Sequence, residues 1–170
     1  MRWQRPSRDE TFMEMAVVAA KRSTCLRRAV GCVLVDGRGR VLSIGYNGVA
    51  AGQPHCNEIK MLHDGESDSW PSYPNACAGA FDKGGALALC GAVHAEQNAL
   101  LQCRDPDAIR TAYVTLSPCD SCLKLFLNTG CERLVIGEWW RDSEELIRKR
   151  WTPRKVDSLY MEQMVNLRGF

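Results

Sequence analysis

Nine cysteines in a chain of 170 residues cannot all pair with one another, because the count is odd. They are too sparse for a miniprotein built on disulfides and more numerous than a reduced core requires. Metal binding is the leading use for them, so the fold must gather thiols from points far apart in sequence. The length suits one domain around one sizeable core. With 45% hydrophobic and 25% charged residues, the composition is that of a globular chain and not of a disordered one. Apolar runs such as Met15 to Ala20 fall far short of the roughly 20 residues that cross a bilayer. Met1-Arg2-Trp3-Gln4-Arg5-Pro6 is not followed by the apolar core of a secretory signal. A cytoplasmic protein with no membrane partner is expected, and a net charge of +2 argues against a broadly basic nucleic-acid binder.

Ser7 and Glu10 have the spacing of a capping box, and Phe12, Met13, Ala16, Val17 and Ala20 follow at helical period, which predicts a helix over about 8–22. Val30 to Val35 and Val41 to Tyr46 flank the turn residues Asp36-Gly37-Arg38-Gly39 and read as a β-hairpin. From Asn47 to Gly91 the pattern dissolves into Gly, Pro, Asn, Ser and Asp, a length that a compact domain leaves irregular only when it is functional or tied down. Order returns with a helix over His94 to Cys103, a strand over Thr111 to Leu116, a helix over Cys119 to Asn128 and a strand over Arg133 to Gly137. Helices are expected again over about 143–150 and 154–166. A hairpin followed by β-α-β steps predicts an α/β fold: a three-layer α/β/α sandwich with a mixed sheet, forming a single domain over 1–170 with an irregular insertion at about 50–91.

His94-Ala95-Glu96 opens one expected helix and Pro118-Cys119-Asp120-Ser121-Cys122 opens another, with a strand between them. Ser117 is placed to cap the second helix, Pro118 suits its first position, and Asp120 stands where a capping-box acid would. Cys119 and Cys122 then share one face of a first turn, where the dipole and free amides favour thiolates. Two thiolates and one imidazole make a three-ligand zinc site with an open fourth position, the form that activates water. Glu96, displaced around the helix from His94, stands beside such a site without ligating. A Cys-x-x-Cys alone is equally a structural half-site or a redox pair. The ordered set His-x-Glu then Pro-Cys-x-x-Cys is the signature of zinc nucleobase deaminases.

The chain resembles one branch of that superfamily, the deoxycytidylate (dCMP) deaminases of bacteria and phages. The likeness runs from about Arg5 to Gly137, through Arg5-Pro6-Ser7, Arg22-Ser23-Thr24-Cys25-Leu26-Arg27-Arg28, Val30-Gly31, Gly45-Tyr46-Asn47-Gly48, His55-Cys56, His94-Ala95-Glu96-Gln97-Asn98-Ala99 and Ser117-Pro118-Cys119. It implies a cytidine deaminase-like fold and hydrolysis of dCMP to dUMP and ammonia, supplying dUMP for thymidylate synthesis. His94, Cys119 and Cys122 would hold zinc, Glu96 would move protons, the Ala95 N–H would face the developing oxygen, and Asn47 would bind the sugar. Asn47-Gly48 alone is equally a tight turn. Arg27 and Arg28 are the cations best placed for a phosphate, although exposed arginines are commonly solvated surface.

The resemblance also implies a second, structural zinc, for which Cys25, Cys56, Cys77 and Cys90 are the candidates. His55 or His63 is the alternative ligand, and reduced core cysteines are the alternative to a site altogether. Cys32, Cys103 and Cys131 read as small buried hydrophobes. Relatives further imply a homo-oligomer, up to a hexamer, and dCTP and dTTP with Mg2+ as allosteric effectors. Ala50 stands where the family has proline, and residues 60–74 depart from its usual second-zinc loop. Trp139-Trp140 fit a site mouth or an interface, and Arg148-Lys149-Arg150 a solvated helix face. The rival readings are a deaminase of a 5-substituted dCMP, of tRNA adenosine or of single-stranded DNA, and an inactive zinc-stabilised interaction subunit, against which Glu96 argues.

Overall fold

The computed structural model describes residues 4–58, 60–62, 70–72, 74–77, 90–141 and 143–161. Helix α1 spans Arg8–Ala20 and opens on the expected capping box. The Ser7 N–H donates to Glu10 Oε2 at 2.7 Å, and the Glu10 N–H donates to Ser7 Oγ at 3.1 Å. Strands β1 (Gly31–Asp36) and β2 (Val41–Tyr46) form the expected antiparallel hairpin. The irregular stretch then begins with β3 (Gly48–Val49), carries the pair β4 (Lys60–Leu62) and β5 (Trp70–Ser72), and ends in β6 (Ala92–Val93). Pairing of β3 with β6 closes this insertion at its base and delivers the chain to His94.

Helix α2 (Ala95–Gln102), β7 (Ile109–Leu116), α3 (Asp120–Leu127), β8 (Arg133–Glu138), α4 (Ser143–Trp151) and β9 (Lys155–Ser158) complete the chain order. The main sheet has five strands in the order β2-β1-β7-β8-β9. It is mixed, because β1 runs antiparallel to β2 and β7 while β7, β8 and β9 are mutually parallel. Strand residues point alternately to two cores. Cys32, Leu34, Ala112, Val114, Leu134 and Ile136 face α2, α3 and α4, where Phe126, Ile147 and Trp151 are buried. Val33, Val35, Tyr113 and Val135 face Met13, Ala16, Val17 and Ala20 of α1. This is the expected α/β/α sandwich.

The helix expected over about 154–166 is overturned in its described part, and residues 162–166 lie outside the described residues. Residues 155–158 are not helical but form β9, paired in parallel with β8 from Arg133↔Lys155 to Ile136↔Ser158. Val156 packs on the larger core, and the Arg133 guanidinium grips Asp157. The pairing and the Arg133 contact come from β8, so a tertiary partner overrides the local preference.

Arg133 also makes a two-pronged bond to Asp9, with both N–O distances 2.8 Å, and the Tyr113 hydroxyl donates to Asp9 at 2.7 Å. The Arg133 hydrogen bonds hold the Asp9 carboxyl below its ordinary range. A depressed carboxylate stabilises the fold above its unfolded value and loses that contribution as pH falls through the folded one. Melting curves are therefore expected to show the Tm difference between the wild-type chain and Asp9→Asn narrowing as pH falls from about 5 to about 3. A constant difference would detach Asp9 from the acid response.

Candidate active site

Close packing of α2 on the sheet sets the site. A Cβ at Gly45 would land on the Ala95 carbonyl oxygen and the Ala99 amide nitrogen, so only glycine lets α2 approach β2 this closely. Asn98 Nδ2 adds a bond of 2.8 Å to the Tyr46 carbonyl. His94 is the N-cap of α2, and its N–H donates to Gln97 Oε1 at 2.9 Å. Ala95 and Glu96 follow, both buried.

The second arm comes from the β7–α3 connection. Cys119, not Ser117, is the N-cap of α3, and Asp120 is the first helical residue. The expected Ser117 cap is therefore wrong by two positions. The Ser117 hydroxyl instead accepts from the Trp140 N–H at 2.8 Å and lies 2.9 Å from Ser143 Oγ, tying this connection to the one after β8. Asp120, expected as a capping acid, pairs with Lys124 and Arg150, each at 2.8 Å.

These two helix starts bring His94 Nδ1 to 3.5 Å from Cys119 Sγ and 3.4 Å from Cys122 Sγ. Ligands at zinc bond lengths of about 2.0–2.1 Å for nitrogen and 2.3 Å for sulfur, held tetrahedrally, stand roughly 3.5 Å apart. All three ligand atoms lie within 4.8 Å of one another, and among the described residues no other such His, Cys, Asp or Glu group of three or more is found. The donor set and its spacing fit zinc. Hydrogen bonds to Cys122 and His94 hold the Cys119 thiol down to about 4. Burial pushes the Glu96 carboxyl up to about 7, in spite of the opposing pull of His94. A carboxyl near neutrality is suited to both taking and giving a proton.

The site opens into a cavity of about 250 Å³ lined by His94, Glu96 and Cys119 together with Arg27, Arg28, Asn47 and Trp140. The Arg28 guanidinium lies 4.8 Å from the Trp140 ring centroid and 3.6 Å from Glu138 Oε1. Glu138 and the Ser117–Trp140 tie escaped sequence reasoning, since no local motif announces partners supplied by a different loop. Asn47 lies in the cavity wall, but its amide is engaged by backbone: Oδ1 accepts from the Val30 N–H and Nδ2 donates to the Arg28 carbonyl, both at 2.8 Å.

Of the remaining thiols, Cys32, Cys103 and Cys131 are buried in the larger core as expected. Cys77 shares hydrogen bonds with Cys56 and Cys90, and Cys25 lies close enough to perturb both. Burial raises the Cys56 and Cys90 thiols. No three of these four bring their sulfurs within 4.8 Å of each other, so this grouping is looser than the first. His55 is exposed, and His63 lies outside the described residues. No helix among the described residues is long and apolar enough to cross a membrane.

A His-Cys-Cys set with a buried carboxylate beside it, at two helix starts over a mixed sheet, defines a zinc-type deaminase centre. Residues 6–138 match the cytidine and deoxycytidylate deaminase zinc-binding region, and the chain belongs to that family. It is 42% identical over 132 residues to a deoxycytidylate deaminase of Mycobacterium phage D29, covering 77% of this chain and 94% of that protein. Against the deoxycytidylate deaminase of Schizosaccharomyces pombe the identity is 40% over 133 residues, but the match spans only 37% of that longer protein. The crystal structure of the dCMP deaminase from cyanophage S-TIM5, in complex with dCMP and dUMP, has the same fold, with a TM-score of 0.64 at 24% identity over 92% of this chain and 100% of that one.

Proposed function

We propose that this protein hydrolyses dCMP to dUMP and ammonia, with zinc held by His94, Cys119 and Cys122. The observation that carries the reading is the buried Glu96 carboxyl in the same small cavity as His94 and Cys119, two of the three ligands. A structural metal site has no use for that acid. Bound zinc supplies the Lewis acidity that activates water. Glu96 takes one proton from the attacking water and delivers it to ring N3, then takes the remaining proton from the oxygen added at C4 and carries it to the 4-amino nitrogen, which leaves as ammonia while the C4 carbonyl forms. The Ala95 N–H faces the oxygen developing at C4. Arg27 and Arg28 read the 5′-phosphate, since a guanidinium keeps its charge and offers paired donors to phosphate oxygens.

The reading includes a second zinc on Cys25, Cys56, Cys77 and Cys90, supported by the grouping of those thiols. It also includes the parts that rest on family resemblance: a homo-oligomer of up to six chains and control by dCTP and dTTP with Mg2+. Ammonia release is expected to be fastest from dCMP and slower from deoxycytidine, dCTP, 5-methyl-dCMP and a single-stranded oligodeoxynucleotide. Fastest release from the oligonucleotide would overturn the substrate class. Metal analysis is expected to give about two zincs per chain if both sites fill, and one if only the catalytic set does.

A further inference from the structure

A second and larger cavity, a groove of about 780 Å³, lies at the end of the main sheet opposite the His-Cys-Cys set. The start of α1, the turn after β1 and the residues leading into β7, β8 and β9 form its walls, whereas the deaminase centre lies where β7 and β8 end. Arg8, Arg110, Arg133, Arg154 and Lys155 line the groove, against Asp9, Asp36 and Glu132. The carboxylates are already engaged. Asp9 is held by Arg133 and Tyr113, and Asp36 accepts from the Arg40 side chain at 2.6 Å and from the Arg38 and Arg40 N–H groups. Glu132 stands 3.6 Å from Arg110, and Lys155 shares Asp157 with Arg133.

Two cations are left without an acid. The Arg154 guanidinium donates to the Phe126 and Leu127 carbonyls at 3.4 and 3.2 Å and lies over the Trp151 ring. Arg8 is exposed beside Gly39 and has no hydrogen bond or ion pair among the described residues. Arg8 stands at the β1 side of the groove and Arg154 just before β9, three strand spacings away in the sheet order, or about 14 Å. A single phosphate is too short to meet both, and an extended anion carrying several charges is not. Between them lies Phe12, half-buried, with its ring 5.3 Å from that of Tyr113. The volume is within the range of small-ligand sites.

We propose that this groove is a second anion site that takes a chain of linked phosphates, free or as the tail of a nucleoside triphosphate, with Arg8 and Arg154 gripping its two ends. A guanidinium suits this role because it keeps its charge and offers paired donors to phosphate oxygens. The proposal stands whether or not dCMP is the substrate of the other cavity.

Calorimetric titration of the zinc-loaded protein with inorganic tripolyphosphate at low salt tests it. Tripolyphosphate is expected to bind at least about tenfold more tightly than orthophosphate, and more weakly as salt rises. Arg8→Gln should weaken it roughly tenfold, as expected for lost charge-assisted hydrogen bonds, while dCMP turnover stays at the wild-type level. Arg8→Gln combined with Arg154→Gln should abolish binding, and Arg28→Gln should leave the affinity unchanged. Arg154 also caps α3, so Arg8→Gln, which breaks no bond of the fold, decides the matter if the double variant melts early. ATP binding as tightly as tripolyphosphate would show that the phosphate tail suffices, and much weaker binding would restrict the ligand to the free chain. No heat up to millimolar tripolyphosphate, heat accompanied by loss of zinc, equal affinity for orthophosphate, or undiminished binding by Arg8→Gln would overturn the proposal.

Discussion

Glu96→Gln is expected to lower dCMP turnover by at least about 10³-fold while leaving the zinc content of the chain unchanged. General acid–base groups contribute roughly 10²–10⁴-fold each, and this carboxyl is used more than once per turnover, so the upper half of that range applies. The substitution keeps the size of a side chain that is 4% exposed, and it keeps an amide able to meet Cys122. What it removes is the proton acceptor. His94, Cys119 and Cys122 hold their positions through the caps of α2 and α3, which do not involve the Glu96 side chain. Steady-state ammonia release with parallel metal analysis separates the two outcomes. A variant within tenfold of wild type would remove Glu96 from the chemistry, and one that also lost zinc would make it a structural support.

Gly45→Ala is the substitution expected to damage the fold and the site together. The added methyl would collide with the Ala95 carbonyl and the Ala99 amide, both backbone atoms in the middle of a layered contact, and neither can rotate away. Overpacking of this kind costs about 3 kcal/mol or more, a fall in Tm of roughly 6–12 °C for a chain this long. Because α2 must lift from β2, His94 and Glu96 move relative to Cys119 and Cys122, so zinc retention and turnover should fall in the folded fraction as well. Gly91→Ala is the control, since a Cβ there meets nothing within 4 Å. Equal melting of the two variants would show that the α2–β2 contact is softer than it looks.

The ligands, the acid and the helix starts that carry them were legible from sequence because each sits in a local pattern. His94 and Glu96 lie at a helix start, Cys119 and Cys122 share a first turn, and the hairpin has its turn residues. The α1 capping box was legible for the same reason. What stayed hidden depends on contacts between segments distant in the chain. Residues 155–158 became β9 because β8 offered a free edge with Arg133 on it. Ser117 had the right type for a cap but found a better partner in Trp140. Asn47 could be placed near a sugar by resemblance, whereas its bonds to Arg28 and Val30 follow only from the way β2 ends beside the residues leading into β1. Cys25 and the three cysteines of the insertion were grouped by resemblance, and they do lie in one neighbourhood, though more openly than the His-Cys-Cys set.

The most direct test of the central claim is turnover of dCMP by the protein as purified, after chelation, and after zinc is restored. Equimolar dUMP and ammonia are expected from the zinc-loaded protein, none from the stripped protein, and recovery on adding zinc back, with His94→Ala inactive throughout. Undiminished dUMP formation by fully stripped protein, or none by protein carrying zinc on His94, Cys119 and Cys122, would contradict the account.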